Sequence, residues 1–189
     1  MWRGFIVARG DEVLATAVLP SQGLLENLAW SLRLPIDELD QPELAEVLAV
    51  WRAKHREARL PPRAAFDATD LKRAISHVMI LDVRNGEREF VFRLAGSETV
   101  HIHRRELTGC AIAEIGDRSW QIMMRRELVE LVERGEPQLS RLRYQTSSGL
   151  QRDYRELRLP LADDGRTVDR ILIVQDFTVG LLRASAGAL

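Results

Sequence analysis

Two stretches of the chain alternate apolar and polar residues with a period of two, and they flank a segment with helical spacing. The first comprises two predicted strands, His77 to Val83 and Arg88 to Ala95, joined at Asn85-Gly86, a pair that tolerates the positive φ angles of a type I′ turn. The second, Leu139 to Asp176, reads as three strands separated by turns at 147–149 and 163–165. Because short turns join antiparallel strands, the pattern predicts an α+β fold with one five-stranded antiparallel sheet and helices over one face.

The segment between the two stretches predicts a helix that begins at Asp117 or Ser119 and ends at Gly135. Its apolar residues recur at intervals of three and four: Trp120, Met123, Met124, Leu128, Leu131 and Val132. Residues 96–116 predict irregular structure with helical fragments.

The N-terminal third predicts an extension that is partly helical. Residues 1–20 fit either a hairpin or a poorly ordered leader. A helix is predicted from Ser21 to Pro35, carrying Leu24, Leu25, Leu28 and Leu32. A second begins with Asp40 as cap, Pro42 in the first turn and Glu43, and runs to about Arg59.

This second helix carries one apolar stripe, which must be buried against another surface. Its candidate interface residues are Leu44, Leu48, Trp51 and His55. The sequence leaves two partners open for the stripe, namely the sheet of the same chain and the same helix of a second chain.

Charge is nearly balanced, with 27 Lys and Arg residues against 28 Asp and Glu. Neither a nucleic-acid nor a membrane partner is therefore expected. The charges are unevenly distributed, because residues 10–50 are acidic and residues 51–63 are basic. Five arginines of the last strands either pair across the sheet or hold an anion or an acidic segment: Arg141, Arg143, Arg152, Arg155 and Arg158.

The single cysteine, Cys110, fits a reducing compartment, because it has no partner for an internal disulfide. The longest early apolar run, Val13 to Leu19, is too short to span a membrane, and its flanks do not resemble a signal peptide. We expect a soluble, cytoplasmic protein.

The order of predicted elements resembles that of a PAS domain, and several motifs resemble a bacterial, alphaproteobacterial-type, single-domain PAS family. The motifs are Leu60-Pro61-Pro62-Arg63 with Phe66-Asp67, Leu81-Asp82-Val83, Phe92-Arg93-Leu94-Ala95-Gly96, Leu107-Thr108-Gly109, Arg141-Leu142-Arg143-Tyr144 and Leu159-Pro160-Leu161. The resemblance covers roughly residues 42–177. It divides the chain into an extension (1–41), a flanking helix and linker (42–63), a PAS-like domain (64–178) and a tail (179–189).

The resemblance implies a sensory or regulatory module with a small internal cavity, no fixed cofactor and no catalytic residues. It also implies pairing into a homodimer through the flanking helix. No kinase, cyclase or DNA-binding unit follows the domain, so we expect the signal to pass by contact with a partner protein. The alternative is a ligand-free dimerisation or adaptor domain.

In such a fold, a small and mostly apolar ligand is expected between the sheet and the helices. The candidate cavity residues are Phe90, Phe92 and Tyr144 on the sheet, with His103, Trp120 and Met124 on the helices.

His101, His103 and Cys110 suggest metal chemistry, because imidazole and thiolate are zinc and haem ligands. No fourth ligand occurs at a recognisable spacing, so we predict no metal site, and a small metal-dependent enzyme is the least favoured reading. Haem is disfavoured. Flavin is also disfavoured, since Cys110 lacks the Asn-Cys-Arg-Phe-Leu-Gln segment of flavin photosensors.

Overall fold

The computed structural model describes residues 5–7, 15–18, 30–55, 59–86, 89–145 and 151–177 of the 189-residue chain. This part contains eight strands and three α-helices. The strands are β1 (Phe5–Val7), β2 (Ala15–Val18), β3 (Trp30–Leu34), β4 (Val78–Arg84), β5 (Glu89–Ala95), β6 (Gln138–Gln145), β7 (Gln151–Leu161) and β8 (Arg170–Asp176). The helices are α1 (Pro42–Lys54), α2 (Ser97–His103) and α3 (Arg118–Arg134).

The described strands form one antiparallel sheet in the order β1-β2-β3-β6-β7-β8-β4-β5. The five strands predicted from the alternating pattern, β4 to β8, are contiguous, and the pairing of β4 with β8 joins the two halves. The predicted sheet is therefore confirmed. Three further strands extend it beyond β6.

The N-terminal strands correct one prediction. β1 and β2 pair as the hairpin reading of residues 1–20 requires. Trp30–Leu34, however, is strand β3 and not the end of a helix, and residues 21–29 lie outside the described part of the chain. The reason is long-range pairing: Leu34 lies opposite Leu139, so β3 satisfies the backbone groups along the edge of β6. These backbone hydrogen bonds stabilise a strand more than the local spacing of the leucines favours a helix.

Helix α1 begins at Pro42 as predicted, but Asp40 does not cap it. The N-cap is Gln41, which makes no side-chain cap hydrogen bond. The carboxylate of Asp40 instead accepts a hydrogen bond from Arg155 on β7. The helix ends at Lys54, before the predicted end near Arg59. Asp40 therefore pairs with a charged residue of the sheet instead of capping the helix.

The helices lie on both faces of the sheet. Neighbouring residues along a strand point to opposite faces, so Arg155 and Arg158 of β7 point in opposite directions. Arg155 contacts Asp40 beside α1, whereas Arg158 contacts Glu127 of α3. Helix α1 thus lies on the face opposite α3, and β7 is buried from both sides between residues 156 and 161.

The predictions from local turn chemistry are confirmed. Asp117 caps α3, because its Oδ1 accepts the N–H of Trp120 at 2.9 Å. Gly135 ends the helix with a φ of +63°. Asn85 and Gly86 have φ angles of 52° and 60°, as a type I′ turn requires.

Candidate functional site

The residues predicted to line a cavity lie mostly in one apolar core. Four of them belong to a single cluster of buried side chains, each at most 6% exposed: Phe90, Phe92, Trp120 and Met124. His103 is the last residue of α2 and is half-buried outside that cluster. The side chain of Tyr144 lies outside the described part of the chain. The structure therefore buries four of the six predicted residues as core side chains.

A surface cleft of about 210 Å³ lies beside this core, between β5 and α3. The cleft is lined by the buried side chains of Phe90 and Ile112 and by Ile122 of α3, which is 39% exposed. The cleft reaches Phe90, one of the predicted cavity residues.

An arginine that the sequence did not single out lies inside the fold. Arg158 is fully buried and donates from Nε to Oε1 of Glu156, and from Nη1 to Oε2 of Glu127, both at 2.5 Å. Its Nη2 lies 3.3 Å from Sδ of Met124. Gln175 extends the network, because its Nε2 donates to Oε2 of Glu156 at 2.7 Å. A charged network therefore occupies the space between the sheet and α3.

Burial and the charges of this network together shift the pKa values of Arg158 and Arg33. Burial alone would lower the pKa of Arg158, but the negative charges of Glu156 and Glu127 outweigh burial and raise it above its usual value. Burial lowers the pKa of Arg33 on β3, and the positive charge of Arg158 acts in the same direction. Arg158 is thus held as a cation inside the protein.

The sequence places Arg158 among the other arginines of β6 and β7, and nothing in its immediate neighbours indicates that it is buried. The available signal was strand alternation, since Glu156 and Arg158 share one face of β7 while Leu157 and Leu159 share the other. That pattern usually means one polar, solvated face. Here both faces are covered, which only the positions of α1 and α3 reveal.

The other arginines of this region pair within the chain. Asp153 accepts hydrogen bonds from Arg141 at 3.1 Å and from Arg143 at 2.8 Å, and both guanidiniums lie over the ring of Trp30. Burial by itself would raise the pKa of Asp153, but the two arginines outweigh it and hold the pKa below its usual value. Arg155 pairs with Asp40, a member of the acidic N-terminal block. Cross-strand pairing therefore accounts for Arg141 and Arg143, whereas Arg155 holds a residue of the acidic N-terminal segment. The side chain of Arg152 lies outside the described residues.

The apolar stripe of α1 packs against the sheet of its own chain. Leu44, Leu48 and Trp51 are 0%, 4% and 4% exposed, and α1 contacts β7 and β8. Nε1 of Trp51 donates to the carbonyl oxygen of Pro160 at 2.9 Å, and the ring of His55 stacks on Trp51 with a centroid distance of 4.8 Å. Of the two partners that the sequence left open, the sheet is the one that covers this stripe. A contact between chains would have to use the outward side of α1.

The residues considered for metal chemistry do not converge. Within the described ranges there is no group of three or more His, Cys, Asp or Glu side chains that could hold a metal ion. The thiol of Cys110 lies beside the guanidinium of Arg105, at 3.3 Å, and donates to the carbonyl oxygen of Glu106 in its own loop. None of the described helices is long and apolar enough to cross a membrane.

Comparison with protein families identifies the fold. The sequence profile described as "PAS domain" matches residues 39–174, which is most of the chain. The protein belongs to the PAS domain family. Members of this family are sensory and regulatory modules, generally without enzymatic activity, and the chain is therefore a PAS-type sensory module. The match runs from just before α1 into β8 and leaves β1, β2 and β3 outside it.

Solved structures similar to this PAS domain are light-oxygen-voltage (LOV) proteins. The LOV protein of Rhodobacter sphaeroides has 13% sequence identity and a TM-score of 0.44, over 73% of this chain and 68% of that chain. The dark structure of the Aureochrome1 LOV photoreceptor has 12% identity and a TM-score of 0.45, over 62% of this chain and 88% of that chain. No curated protein matches the sequence.

Proposed function

We propose that this PAS domain is a ligand-responsive regulator in which the position of α3 relative to the sheet carries the signal. The observation that carries the proposal is the buried pair of Arg158 on β7 with Glu127 on α3. Separating two buried charges is unfavourable, so α3 favours discrete arrangements over gradual displacement. A ligand shifts the balance between two arrangements only if it binds them with unequal affinity.

The network also supports a change in the expected ligand. The space between the sheet and α3 contains Arg158, Glu156 and Glu127, so a ligand there would contact a charged network and not a purely apolar surface. The side chain of Arg158 reaches Met124 and so spans the gap between sheet and helix. This argues against a flavin ring in the same gap, and the proposal involves neither flavin nor haem.

The proposed readout is contact with a partner protein. Homodimerisation through α1 stays a prediction, and it would use outward residues such as Arg52 and Ala53 because the apolar stripe is covered. A cytoplasmic location is proposed from the single cysteine. The boundaries at residues 42, 64 and 178 stay predictions as well.

A second candidate function is a ligand-free adaptor. It is favoured by the close burial of Phe90, Phe92 and Trp120, which makes the predicted cavity a packed core.

The two candidates differ in what a purified sample carries. Native mass spectrometry of the freshly purified full chain is expected to show a retained small molecule, which is absent after unfolding in urea and refolding. Hydrogen exchange of α3 is expected to be faster in the refolded protein, while α1 serves as the internal control. Identical mass and identical exchange of α3 in both samples would reject the regulator and support the adaptor.

A further inference from the structure

Four polar side chains lie at the junction of β3 and β6, and we call them the polar seam: Ser31, Arg33, Gln138 and Ser140. Ser31, Gln138 and Ser140 are 1%, 3% and 0% exposed. Several of their atoms have no hydrogen-bond partner among the described residues: Ser31 Oγ, Arg33 Nε, both amide atoms of Gln138, and Ser140 Oγ. Buried polar groups are nearly always hydrogen-bonded, so this concentration on two adjacent strands points to a molecule that binds there.

The seam faces α3. Ser140 lies opposite Arg33 on one side and Glu156 on the other, and Gln138 lies opposite Arg158. Residues paired across a sheet share a face, so the seam is on the same face as Arg158 and the helix that contacts it. Helix α3 packs over β2 and β3, and Arg33 pairs with Glu130 of α3 at 3.6 Å. A molecule in the seam would therefore touch the sheet and α3 together.

Half of the seam lies outside the range that matches the family. Ser31 and Arg33 belong to β3, which precedes residues 39–174. It lies beside the Phe90, Phe92 and Trp120 core rather than within it, on the far side of Arg158 from β5. The sequence-predicted cavity and the seam are thus different places under the same helix.

The surrounding charges select the class of ligand. Arg158 is paired with Glu127 and Glu156, and Arg33 with Glu130. An anion would meet three carboxylates, and a cation would meet two guanidiniums. The unpaired groups of Ser31, Ser140 and Gln138 are neutral and offer both donors and acceptors. The positive charge of Arg33, whose Nε is also unpaired, is balanced by Glu130. A neutral molecule with a donor and an acceptor side by side matches them.

We propose that the polar seam binds a small neutral molecule through an amide or hydroxyl group. This proposal deepens the proposed function. Its consequence, that occupancy of the seam would bias the position of α3, rests on that function. Binding itself is tested separately from signalling.

Three probes of the same shape and different charge test the class directly. Acetamide is neutral, acetate is an anion and acetamidinium is a cation. Each is titrated into the ¹⁵N-labelled full chain, and the side-chain amide resonances of Gln138 are followed. Acetamide is expected to shift them saturably, and the two ions are not. If no probe produces a saturable shift, or if an ion shifts them as strongly as acetamide, the proposal is overturned.

Two variants locate the effect. Ser140→Ala is expected to weaken acetamide binding about tenfold, the loss of one good hydrogen bond. Thr99→Val is the matched control, because Oγ1 of Thr99 is also buried and unpaired but lies on α2, outside the seam. Equal effects of the two variants, or no effect of Ser140→Ala, would overturn the assignment. If native mass spectrometry shows that the Ser140→Ala variant still retains a small molecule, the assignment of the binding site to the seam is overturned. The regulator proposal would then still stand.

Discussion

Nη1 of Arg158 on β7 donates to Oε2 of Glu127 on α3 at 2.5 Å, and both side chains are buried. Glu156 holds the same guanidinium from its own strand. The longest helix of the described residues is therefore joined to the sheet by a buried charged contact. Because an unpaired charge in that position is unfavourable, the contact links the docking of α3 to the integrity of the whole network.

We expect Arg158→Met to reduce the free energy of unfolding by about 3–5 kcal/mol, since it leaves Glu127 and Glu156 buried without their cation. Urea unfolding measured by circular dichroism at neutral pH tests this. The matched control is the triple variant Arg158→Met, Glu127→Leu, Glu156→Leu, in which apolar residues replace the entire ion network. We expect it to recover most of the lost stability. A single variant as stable as the wild-type protein would show that the network contributes little.

Trp51→Phe is expected to reduce the free energy of unfolding by about 1–3 kcal/mol, because the buried carbonyl group of Pro160 loses its donor. The oligomeric state, measured by light scattering after gel filtration, is expected not to change, since the stripe packs on the sheet of its own chain. Arg93→Gln, at an exposed position of β5, serves as control and should preserve stability. If Trp51→Phe changes the oligomeric state but not the free energy of unfolding, Trp51 contacts a second chain and the prediction is wrong.

Asp153→Asn tests the arginine pair on the outer part of β6. The folded protein holds the pKa of Asp153 below its usual value, so its contribution to stability is complete above the unfolded pKa of about 3.9 and is lost as pH falls through the lower folded value. The wild-type protein is thus expected to be more stable than the variant at pH 7, with a difference that shrinks below about pH 4.

Urea unfolding of both proteins across this pH range measures that difference. Glu133→Gln, at an exposed position of α3, is the control for a general effect of removing one negative charge. A stability difference for Asp153→Asn that stays constant from neutral to acidic pH would contradict the assignment.

Local patterns predicted the elements whose signals lie within a few residues. Asn85-Gly86 indicated its turn, Asp117 and Gly135 bounded α3, and alternation indicated the five strands β4 to β8. The failures were those in which a distant group competed with a local one. Asp40 pairs with Arg155 instead of capping α1, and Trp30–Leu34 pairs with β6 instead of forming a helix.

In the candidate site, too, local patterns predicted some features, and others depended on distant parts of the chain. Hydrophobic spacing correctly indicated that Phe92, Trp120 and Met124 would be buried, because apolar side chains leave water wherever the fold allows it. It could not indicate that Arg158 and Gln138 would be buried too. The same residue types occur on solvated strands, and their environment depends on which surfaces cover the sheet.

By itself, the order of residues determined the antiparallel sheet, the limits of α3 and membership of the PAS family, because strand alternation, turn chemistry and capping depend on neighbours along the chain. The tertiary structure decided that α1 covers one face while α3 covers the other, and that β3 extends the sheet. The placements of α1 and β3 depend on contacts between residues more than a hundred positions apart, and that of α3 on Glu127 and Arg158, which are 31 positions apart. The placements of β3 and α3 enclose the charged network and the polar seam.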